Sequence, residues 1–346
     1  MKPIDARLRI DEAALEAWLY ATIKGYAGPL QVMQFKGGQS NPTYRLETPG
    51  CSYVLRRKPS GTLLPSAHAV DREFRLISAL YGASFPVPRP YALCEDPSVI
   101  GAMFYVMQAV AGPIYWDGSL PDLAPAARRA AYMSMIETLA RLHKVDYAAI
   151  GLADYGRPGN YFARQVERWT RQYRASETDR IEAAERLMAW LPGSVPEQAR
   201  TSIVHGDYRI DNLIFTPTSS TPRVAAVLDW ELSTLGDPLA DFTYLLMGWV
   251  LPADGRSALA GLDLAVLDIP DRAAAVALYC ELTGREGLPE LDWYFAYNLF
   301  RLVGIVQGIA GRVRDGTASS ARAAEAAARA PMLAEAAWQF ALRAGA

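Results

Sequence analysis

Three polar residues, placed between short apolar segments, have types and spacing that suit the transfer of a phosphoryl group. Asp207 and Asn212 lie in Ile203-Val-His-Gly-Asp-Tyr-Arg-Ile-Asp-Asn-Leu-Ile-Phe215, and Asp229 lies in Val227-Leu-Asp-Trp-Glu231. Phosphoryl transfer needs a carboxylate that orients the attacking hydroxyl and accepts its proton, together with hard oxygen ligands for Mg²⁺. Asp207 suits the first role, and Asn212 and Asp229 suit the second.

The apolar segments around these residues predict short strands. Ser202 to Val204 and Leu213 to Phe215 flank the first acid and the amide, and Val224 to Leu228 runs into the second acid. Strands of this kind would hold the polar residues on rigid edges beside one another. An Asp followed five residues later by an Asn is common in turns. The predicted strands around these residues therefore support a catalytic role more strongly than the spacing of Asp207 and Asn212 does.

The motif His205-Gly-Asp-x4-Asn212, with Leu-Asp-Trp-Glu downstream, resembles the catalytic and metal loops of the aminoglycoside phosphotransferase and choline kinase superfamily. That superfamily shares its fold with the protein kinases, whose motifs are His-Arg-Asp-x4-Asn and Asp-Phe-Gly. Gly206 stands here in place of the Arg, and Trp230-Glu231 in place of Phe-Gly. Both departures are typical of the small-molecule branch. The resemblance implies Asp207 as catalytic base, with Asn212 and Asp229 binding magnesium.

The same resemblance predicts an α+β, bilobal, protein-kinase-like fold. A small N-terminal lobe with an antiparallel sheet and one main helix is expected over residues 1–110, as the nucleotide-binding lobe. A larger, mostly helical C-terminal lobe is expected over residues 111–346, carrying the catalytic and metal loops. The chain is long enough for two cores, and long segments rich in Ala, Arg and Leu follow Gly112.

A glycine-containing segment near the N-terminus suits a nucleotide loop. Phe35-Lys-Gly-Gly-Gln-Ser-Asn-Pro-Thr-Tyr-Arg-Leu46 has two adjacent glycines and small polar residues between β-like flanks. Such a hairpin can close its backbone amides over phosphates, although Gly-Gly taken alone is more often only a hairpin turn. The predicted nucleotide contacts here are Gly37, Gly38, Ser40 and Asn41.

An arginine stands where the superfamily carries its phosphate-anchoring lysine. Cys51 to Arg57 predicts a strand, and the lysine position falls at Arg56, whose guanidinium would pair with phosphates through a fork rather than as a point charge. Lys58 is the alternative anchor. The segment Ala69 to Leu80 predicts a helix, and the resemblance implies that Glu73 on this helix is the ion-pair partner of Arg56.

The apolar run Met103 to Val110 predicts a buried strand that ends in a hinge between lobes. In the kinase interpretation, backbone groups near Gln108 and Val110 bind the adenine. An ordinary core strand would contain the same residues, so position alone separates the two interpretations.

A helix predicted over Phe162 to Tyr173 has an apolar stripe on one side and four arginines on the other, at Arg164, Arg168, Arg171 and Arg174. The arginines could hold an anionic group such as the phosphates of coenzyme A, or they could form a solvated face, which is the commoner meaning. His143 is expected to be a packing or capping histidine, and Asp241 to tie the catalytic loop through backbone hydrogen bonds.

Composition excludes several classes of protein. The chain is 51% hydrophobic and 21% charged with a formal net charge of −2, which implies neither disorder nor a nucleic-acid partner. No apolar run approaches the roughly 20 residues of a membrane span, and the N-terminus lacks the apolar core of a signal peptide, so a cytoplasmic location is expected. Cys51, Cys94 and Cys280 have no metal-type spacing and suit reduced thiols.

Further segments look like the kinase domain that accompanies acyl-CoA dehydrogenases. They are Leu55-Arg-Arg-Lys-Pro-Ser-Gly-Thr-Leu-Leu-Pro-Ser-Ala-His68, Asp229-Trp-Glu-Leu-Ser-Thr-Leu-Gly-Asp-Pro238, and Gln307-Gly-Ile-Ala-Gly-Arg312 with Gly316-Thr-Ala-Ser319. This likeness implies phosphorylation of a hydroxyacyl-CoA, which makes phosphate a leaving group for a dehydrogenase. A dehydrogenase domain is not expected in this chain, so an acyl-CoA dehydrogenase partner acting in trans is a hypothesis.

The sequence thus predicts a phosphotransferase with an alcohol group as acceptor, using ATP and Mg²⁺ on a small-molecule hydroxyl substrate. Three alternatives stay open: a kinase for an aminoglycoside or a choline-like alcohol, a nucleotide-binding regulator without turnover, and a helical interaction module without a nucleotide site. No nucleic-acid or membrane partner is expected.

Overall fold

The computed structural model describes residues 9–35, 41–59, 69–217, 221–252, 257–317 and 323–346. Three predicted nucleotide contacts, Gly37, Gly38 and Ser40, lie outside the described residues. The chain divides into two compact units. The first contains residues 1–115, 146–153 and 211–233, and the second contains residues 116–145, 154–210 and 234–346.

The first unit is built on an antiparallel sheet of five strands in the order β1-β2-β3-β5-β4. Its elements are α1 Glu12–Thr22, β1 Gln31–Gln34, β2 Thr43–Glu47, β3 Ser52–Arg57, α2 Val70–Gly82, β4 Pro90–Cys94 and β5 Phe104–Gln108. A two-stranded antiparallel ladder of β7 Leu213–Phe215 and β8 Val224–Val227 belongs to the same unit. The predicted strand at 51–57, the helix at 69–80 and the buried strand at 103–110 are confirmed.

Strand β3 decides which of two adjacent arginines faces α2. Successive strand side chains point to opposite faces, and in β3 Tyr53, Leu55 and Arg57 are buried on one face. Arg57 is 3% exposed and donates a hydrogen bond to the carbonyl oxygen of Ile100. Arg56 points to the opposite face, where α2 lies. Because side chains alternate along β3, Arg57 has a structural role in the core, whereas Arg56 on the other face is available for binding or catalysis.

The second unit is mostly helical. It contains α3 Pro125–His143, α4 Tyr161–Ser176, α5 Glu182–Trp190, β6 Ser202–Val204, β9 Thr234–Gly236, α6 Leu239–Leu246, α7 Leu264–Leu267, α8 Arg272–Thr283, α9 Leu291–Arg314, α10 Ala323–Ala327 and α11 Ala330–Arg343. Strands β6 and β9 pair antiparallel, and the His-Gly-Asp motif follows β6 directly in the chain. The α+β fold class is confirmed. The chain ends in the two helices α10 and α11, with Pro331 in the first turn of α11.

The arginine stripe on α4 is engaged within the protein. Arg164 donates to the carbonyl oxygens of Gly159 and Arg157, Arg171 pairs with Glu167 at 2.7 Å, and Arg174 pairs with Glu177 and Glu185. The fourth arginine, Arg168, lies over the ring of Trp169. These contacts favour the structural interpretation of the stripe over a binding site for coenzyme A phosphates.

The segment 211–233 joins the first unit through main-chain hydrogen bonds. The amide of Phe215 donates to Pro113 O at 3.0 Å, and that of Val227 donates to Pro86 O at 2.8 Å. Gly112 permits this approach, because a Cβ built there would lie 2.0 Å from the carbonyl oxygen of Phe215. The predicted metal loop therefore belongs to the first compact unit, whereas the prediction placed it in the C-terminal lobe. The lobe boundaries at 110 and 111 stay a prediction.

Within the described part of the chain, no helix has both the length and the apolar character that a membrane crossing requires. The three cysteines are free thiols, with Cys51 exposed and Cys94 and Cys280 buried.

Candidate active site

Arg56 gathers three carboxylates in the first unit. Its Nε lies 3.1 Å from Oε2 of Glu73 on α2, and its Nη2 lies 2.7 Å from Oδ1 of Asp229 and 3.3 Å from Oε2 of Glu231. A forked guanidinium can serve several acids at once, which a single ammonium group does less well. The predicted pair of Arg56 with Glu73 therefore forms. Lys58 donates its main-chain amide to Met103 O, just beyond β3.

The burial of this cluster perturbs its ionisation. Glu73 is 2% exposed, and burial raises its pKa to about 7 even though Arg56 opposes the shift. Burial also disfavours the charged form of Arg56, but the attraction of Glu73 and Asp229 outweighs this cost and raises the pKa of the guanidinium. Arg56 is thus a permanent cation that neutralises acids which would otherwise repel one another.

The metal-loop residues Asn212 and Asp229 are brought together by the β7–β8 ladder. The amide of Leu228 donates to the carbonyl oxygen of Asn212 at 2.9 Å, so the residue before Asp229 is bonded to Asn212 itself. Asp229 has a left-handed backbone with φ of 62°, a conformation that Asp tolerates better than most residues and that often marks functional turns. Its side chain is 38% exposed.

These two residues fit Mg²⁺ by donor chemistry. Asn212 supplies an amide oxygen and Asp229 a partly exposed carboxylate, and both are hard oxygen ligands. Magnesium is usually held by one or two carboxylates together with substrate phosphates rather than by a protein cage. The described residues contain no group of three or more His, Cys, Asp or Glu that could hold a metal.

The predicted nucleotide contacts that the structure describes differ in whether their polar groups can still accept or donate a hydrogen bond to a ligand. Asn41 is 1% exposed, and neither its amide nitrogen nor its amide oxygen has a hydrogen-bond partner among the described residues. An unsatisfied buried amide is costly, so a ligand that pairs with it is favoured. The N–H of Gln108 already donates to Arg89 O at 2.8 Å, so this amide is not open to adenine. Val110 lies two residues beyond β5.

In the second unit, the catalytic loop adopts a backbone that only glycine takes easily. Gly206 has φ of 87°, which explains in physical terms why this position does not carry the arginine of the protein kinases. The amides of His205 and Gly206 both donate to the carboxylate of Asp241, at 2.5 and 2.8 Å. The expected role of Asp241 in tying the loop is confirmed. Arg301 on α9 donates to Gly206 O at 2.5 Å.

His143, at the end of α3, contacts the carboxylate of Asp241. The Nε2 of His143 lies 3.5 Å from its Oδ2, and the Nδ1 of His143 lies 2.7 Å from the hydroxyl of Tyr279. Burial favours the neutral carboxyl group, but the hydrogen bonds from His143 and from the Gly206 amide outweigh burial and lower the pKa of Asp241. Burial likewise lowers the pKa of His143, which agrees with the expected packing role.

We expect Asp241→Asn to destabilise the protein by about 3 kcal/mol, because one buried main-chain donor loses a charged acceptor and faces an amide N–H instead. Chemical denaturation followed by circular dichroism would measure the free energy of unfolding. The matched control is Asp271→Asn at the N-cap of α8, where the side chain accepts from Ala274 N at 2.7 Å. Asn and Asp cap equally well. Equal losses in both variants would contradict the anchoring role.

Both oxygens of the Asp207 carboxylate are oriented by neighbouring side chains. Oδ1 accepts a hydrogen bond from the Tyr244 hydroxyl at 3.0 Å, and Oδ2 lies 3.4 Å from Nε of Arg209. Burial, with the nearby Asp207 charge, raises the pKa of Tyr244 to about 12, so the phenol stays a donor at neutral pH. Arg301 lies 4.7 Å from the centre of the Tyr244 ring. The carboxylate is 22% exposed, so a substrate hydroxyl can reach it.

Four further residues belong to these clusters although no motif in the sequence indicated them: Glu231, Tyr244, Arg209 and Arg301. Glu231 follows Asp229 by two residues, and Arg209 follows Asp207 by two, so adjacency was an available signal for both. Tyr244 and Arg301 lie on α6 and α9, far from the motif in the chain. No local pattern distinguishes them from core residues of amphipathic helices.

The ion pair of Arg56 with Glu73 in the first unit, and the contacts of Asp207 in the second, agree with the kinase-like phosphotransferases that the sequence resembles. Residues 31–278 match the model of the APH phosphotransferase enzyme family. The match covers more than half of the chain, which therefore belongs to this family.

Similarities to individual proteins agree with this family assignment. The chain is 45% identical over 348 residues to "Acyl-CoA dehydrogenase family member 10" of Mus musculus, covering 99% of this chain and 32% of that protein. A Ralstonia eutropha JMP134 structure, determined as a candidate aminoglycoside phosphotransferase, is 52% identical with a TM-score of 0.88 over 97% of this chain and 99% of that one. Spectinomycin phosphotransferase, in complex with ADP and spectinomycin, is 14% identical with a TM-score of 0.62, covering 98% and 99%.

These findings establish a protein-kinase-like fold and a phosphotransferase that acts on hydroxyl groups of small molecules. The predicted family and fold are confirmed. The chain spans about a third of the length of the mouse relative. The activity of that whole protein is therefore not transferred to this chain.

Proposed function

We propose that this protein uses ATP to phosphorylate the hydroxyl group of a small molecule, with Asp207 as the catalytic base. The observation that carries the proposal is the Asp207 carboxylate, held by Tyr244 at 3.0 Å and by Arg209 at 3.4 Å while 22% of the side chain stays exposed. A base must be within hydrogen-bond reach of the proton that it accepts, and a fixed carboxylate in partial contact with solvent satisfies that condition.

In the proposed reaction, the substrate oxygen attacks the γ-phosphorus of ATP while its proton passes to Asp207. The bond between the γ-phosphorus and the bridging oxygen breaks, which leaves ADP and a phosphate ester, and Asp207 then returns the proton to solvent. Positioning and neutralisation of charge supply most of the acceleration in such transfers. Arg56, fixed by Glu73, supplies a permanent positive charge for the phosphates.

Further residues are assigned to the nucleotide and its metal. Asn212 and Asp229 would hold Mg²⁺, which neutralises negative charge on the phosphate oxygens when bound. The buried amide of Asn41, unpaired among the described residues, supports a ligand at this end of β2. The remaining proposed nucleotide contacts are Gly37, Gly38, Ser40, Gln108 through its carbonyl oxygen, and Val110.

The acceptor that we propose is a hydroxyacyl-CoA. The support is the likeness over nearly the whole chain to proteins named as acyl-CoA dehydrogenase family members. Phosphorylation would convert the hydroxyl into a leaving group, and an acyl-CoA dehydrogenase acting in trans would take the product. A cytoplasmic location belongs to the same proposal.

The test is ATP consumption with a panel of hydroxyacyl-CoA thioesters, choline-like alcohols and aminoglycosides, with each phosphorylated product identified by mass. Turnover on a thioester alone supports the full proposal. Turnover only on a cationic alcohol keeps the kinase and discards the acyl-CoA acceptor. ATP binding without transfer to any alcohol would instead favour a nucleotide-binding regulator.

We expect Asp229→Ala to weaken binding of Mg·ATP by at least tenfold, because the variant removes one of the two proposed metal ligands and magnesium tolerates few vacancies in its coordination shell. Isothermal titration with a non-hydrolysable ATP analogue, with and without Mg²⁺, measures the effect. Asp96→Ala is the control, since this exposed carboxylate only caps a turn at Ser98. If the magnesium dependence of binding is the same in both variants, Asp229 is not a metal ligand.

A further inference from the structure

A cavity of about 250 Å³ in the second unit is lined by the two residues that orient the catalytic carboxylate. Tyr244, which donates to Asp207, and Arg209, which pairs with it, both contribute to its wall. Any group that enters this cavity therefore contacts the immediate neighbours of Asp207. The position is that required of a subsite for the acceptor of a phosphoryl group.

The chemistry of the wall is mainly apolar with two cations. The apolar contributors include Met135, Leu245, Met247, Trp249, Leu302 and Val306. The cations are Arg209 and Arg329, and none of the described lining residues is a carboxylate. Arg329, at the N-cap of α11, is exposed and makes no ion pair with any residue that the structure describes. The cavity therefore combines apolar surface with a positive charge at Arg329 that no described residue neutralises through an ion pair.

We propose that this cavity is the acceptor subsite, that it takes the apolar segment of the hydroxyl substrate, and that Arg209 and Arg329 select an uncharged or anionic neighbouring group against a cationic one. This inference rests on the proposed function and narrows it. The substrate class is an alcohol with an apolar chain and no positive charge near the reacting hydroxyl.

The volume of the cavity and the charges on its wall both support this class of substrate. Pockets for drug-sized ligands occupy about 300–1,000 Å³, so a cavity below that range holds a short chain rather than a whole large molecule. A polycationic aminoglycoside would place ammonium groups beside the guanidinium group of Arg329, and none of the described wall residues is an acid that could compensate. Like charges juxtaposed in a partly desolvated site cost several kcal/mol, which is an effective means of rejecting a ligand.

The inference is tested with two probes of equal length, a medium-chain hydroxycarboxylate and the matching amino alcohol. Binding is measured by thermal shift and by titration calorimetry, without nucleotide, and phosphoryl transfer to each probe is measured separately. Val306→Trp fills the cavity from α9. Met332→Trp adds the same ring at an exposed position on α11 that does not line the cavity, and it is the matched control.

For Val306→Trp we expect binding of the hydroxycarboxylate to weaken at least tenfold while ATP binding is unchanged, and for Met332→Trp we expect no change. Should Val306→Trp not fold, Leu302→Trp fills the same cavity from one turn earlier on α9. We also expect Arg329→Glu to shift the preference between the two probes by about tenfold toward the amino alcohol, which corresponds to about 1.4 kcal/mol, because the variant reverses the charge that faces the probe.

Binding without nucleotide separates the subsite from the proposed function. Probe binding that is lost in the Trp variant supports the subsite even if no phosphate is transferred to the probe, whereas the kinase proposal fails only if no alcohol of the substrate panel is phosphorylated. Binding of neither probe to the wild-type protein, or equal binding to the filled and control variants, overturns the subsite. A preference between probes that is unaltered in Arg329→Glu overturns the charge selection.

Discussion

Asp207→Asn is expected to lower kcat by a factor of about 10²–10⁴, the range that a general base contributes, while ATP binding stays close to that of the wild type. The substitution keeps the size of the side chain and the oxygen that accepts from Tyr244. It removes the negative charge and the capacity to accept the substrate proton. Steady-state kinetics with the acceptor identified by the substrate panel, and ATP titration by calorimetry, give the two readouts.

Two further variants test whether the loss of activity is specific to the carboxylate of Asp207. Asp263→Asn is a control of the same chemistry at the N-cap of α7, where the carboxylate accepts from Val266 N at 3.1 Å, and it should leave kcat unchanged. Tyr244→Phe keeps the carboxylate but removes one donor to it, so a smaller loss of roughly tenfold is expected from a charge-assisted hydrogen bond. Undiminished turnover in Asp207→Asn would overturn the assignment of the base.

Arg56→Met is expected to destabilise the protein by about 3–5 kcal/mol at pH 8, because it leaves the carboxylate of Glu73 buried without its partner. It should also abolish productive binding of the ATP phosphates. Glu73 is 2% exposed, and its pKa of about 7 lies above the usual value near 4.5. Its ionised form is therefore disfavoured in the folded protein, and its contribution to stability falls as the pH rises from about 4.5 to about 7.

The penalty of Arg56→Met should consequently depend on pH. Below about pH 5.5 Glu73 is neutral in both proteins, so its part of the penalty disappears and only the more exposed contacts of Arg56 with Asp229 and Glu231 are lost. Above pH 7 the wild type holds an ionised, paired Glu73, whereas the variant must either bury an unpaired charge or keep the proton. The difference in the free energy of unfolding should grow between these limits. Urea denaturation at a series of pH values measures it.

Controls for this prediction use the neighbouring strand and the partner acid. Arg45 on β2 pairs with Glu47 at an exposed site, so Arg45→Met should cost less than about 1 kcal/mol with little dependence on pH. Adding Glu73→Gln to Arg56→Met should recover much of the lost stability, and the double-mutant cycle isolates the pair. A penalty for Arg56→Met that is the same at pH 5.5 and pH 8 would contradict the role of Glu73.

The sequence alone was sufficient for the elements with a regular period and for the motif with its family. Strand β3 follows a period of two, helices α2 and α4 follow the helical period, and the His-Gly-Asp motif indicated the phosphotransferase family. These features are local, because the pleat, the helical turn and the left-handed glycine act over a few neighbouring residues.

Tertiary structure alone decided which side chains meet. Arg56 rather than Lys58 lies against Glu73 because the sheet fixes the faces of β3, and Asp229 and Glu231 reach the same guanidinium from a loop remote in the chain. Tyr244 from α6 and Arg301 from α9 converge on the catalytic loop, and the cavity beside them is lined from α3, α6, α9 and α11. Such convergence depends on how helices pack, and the spacing of residues along one helix does not encode it.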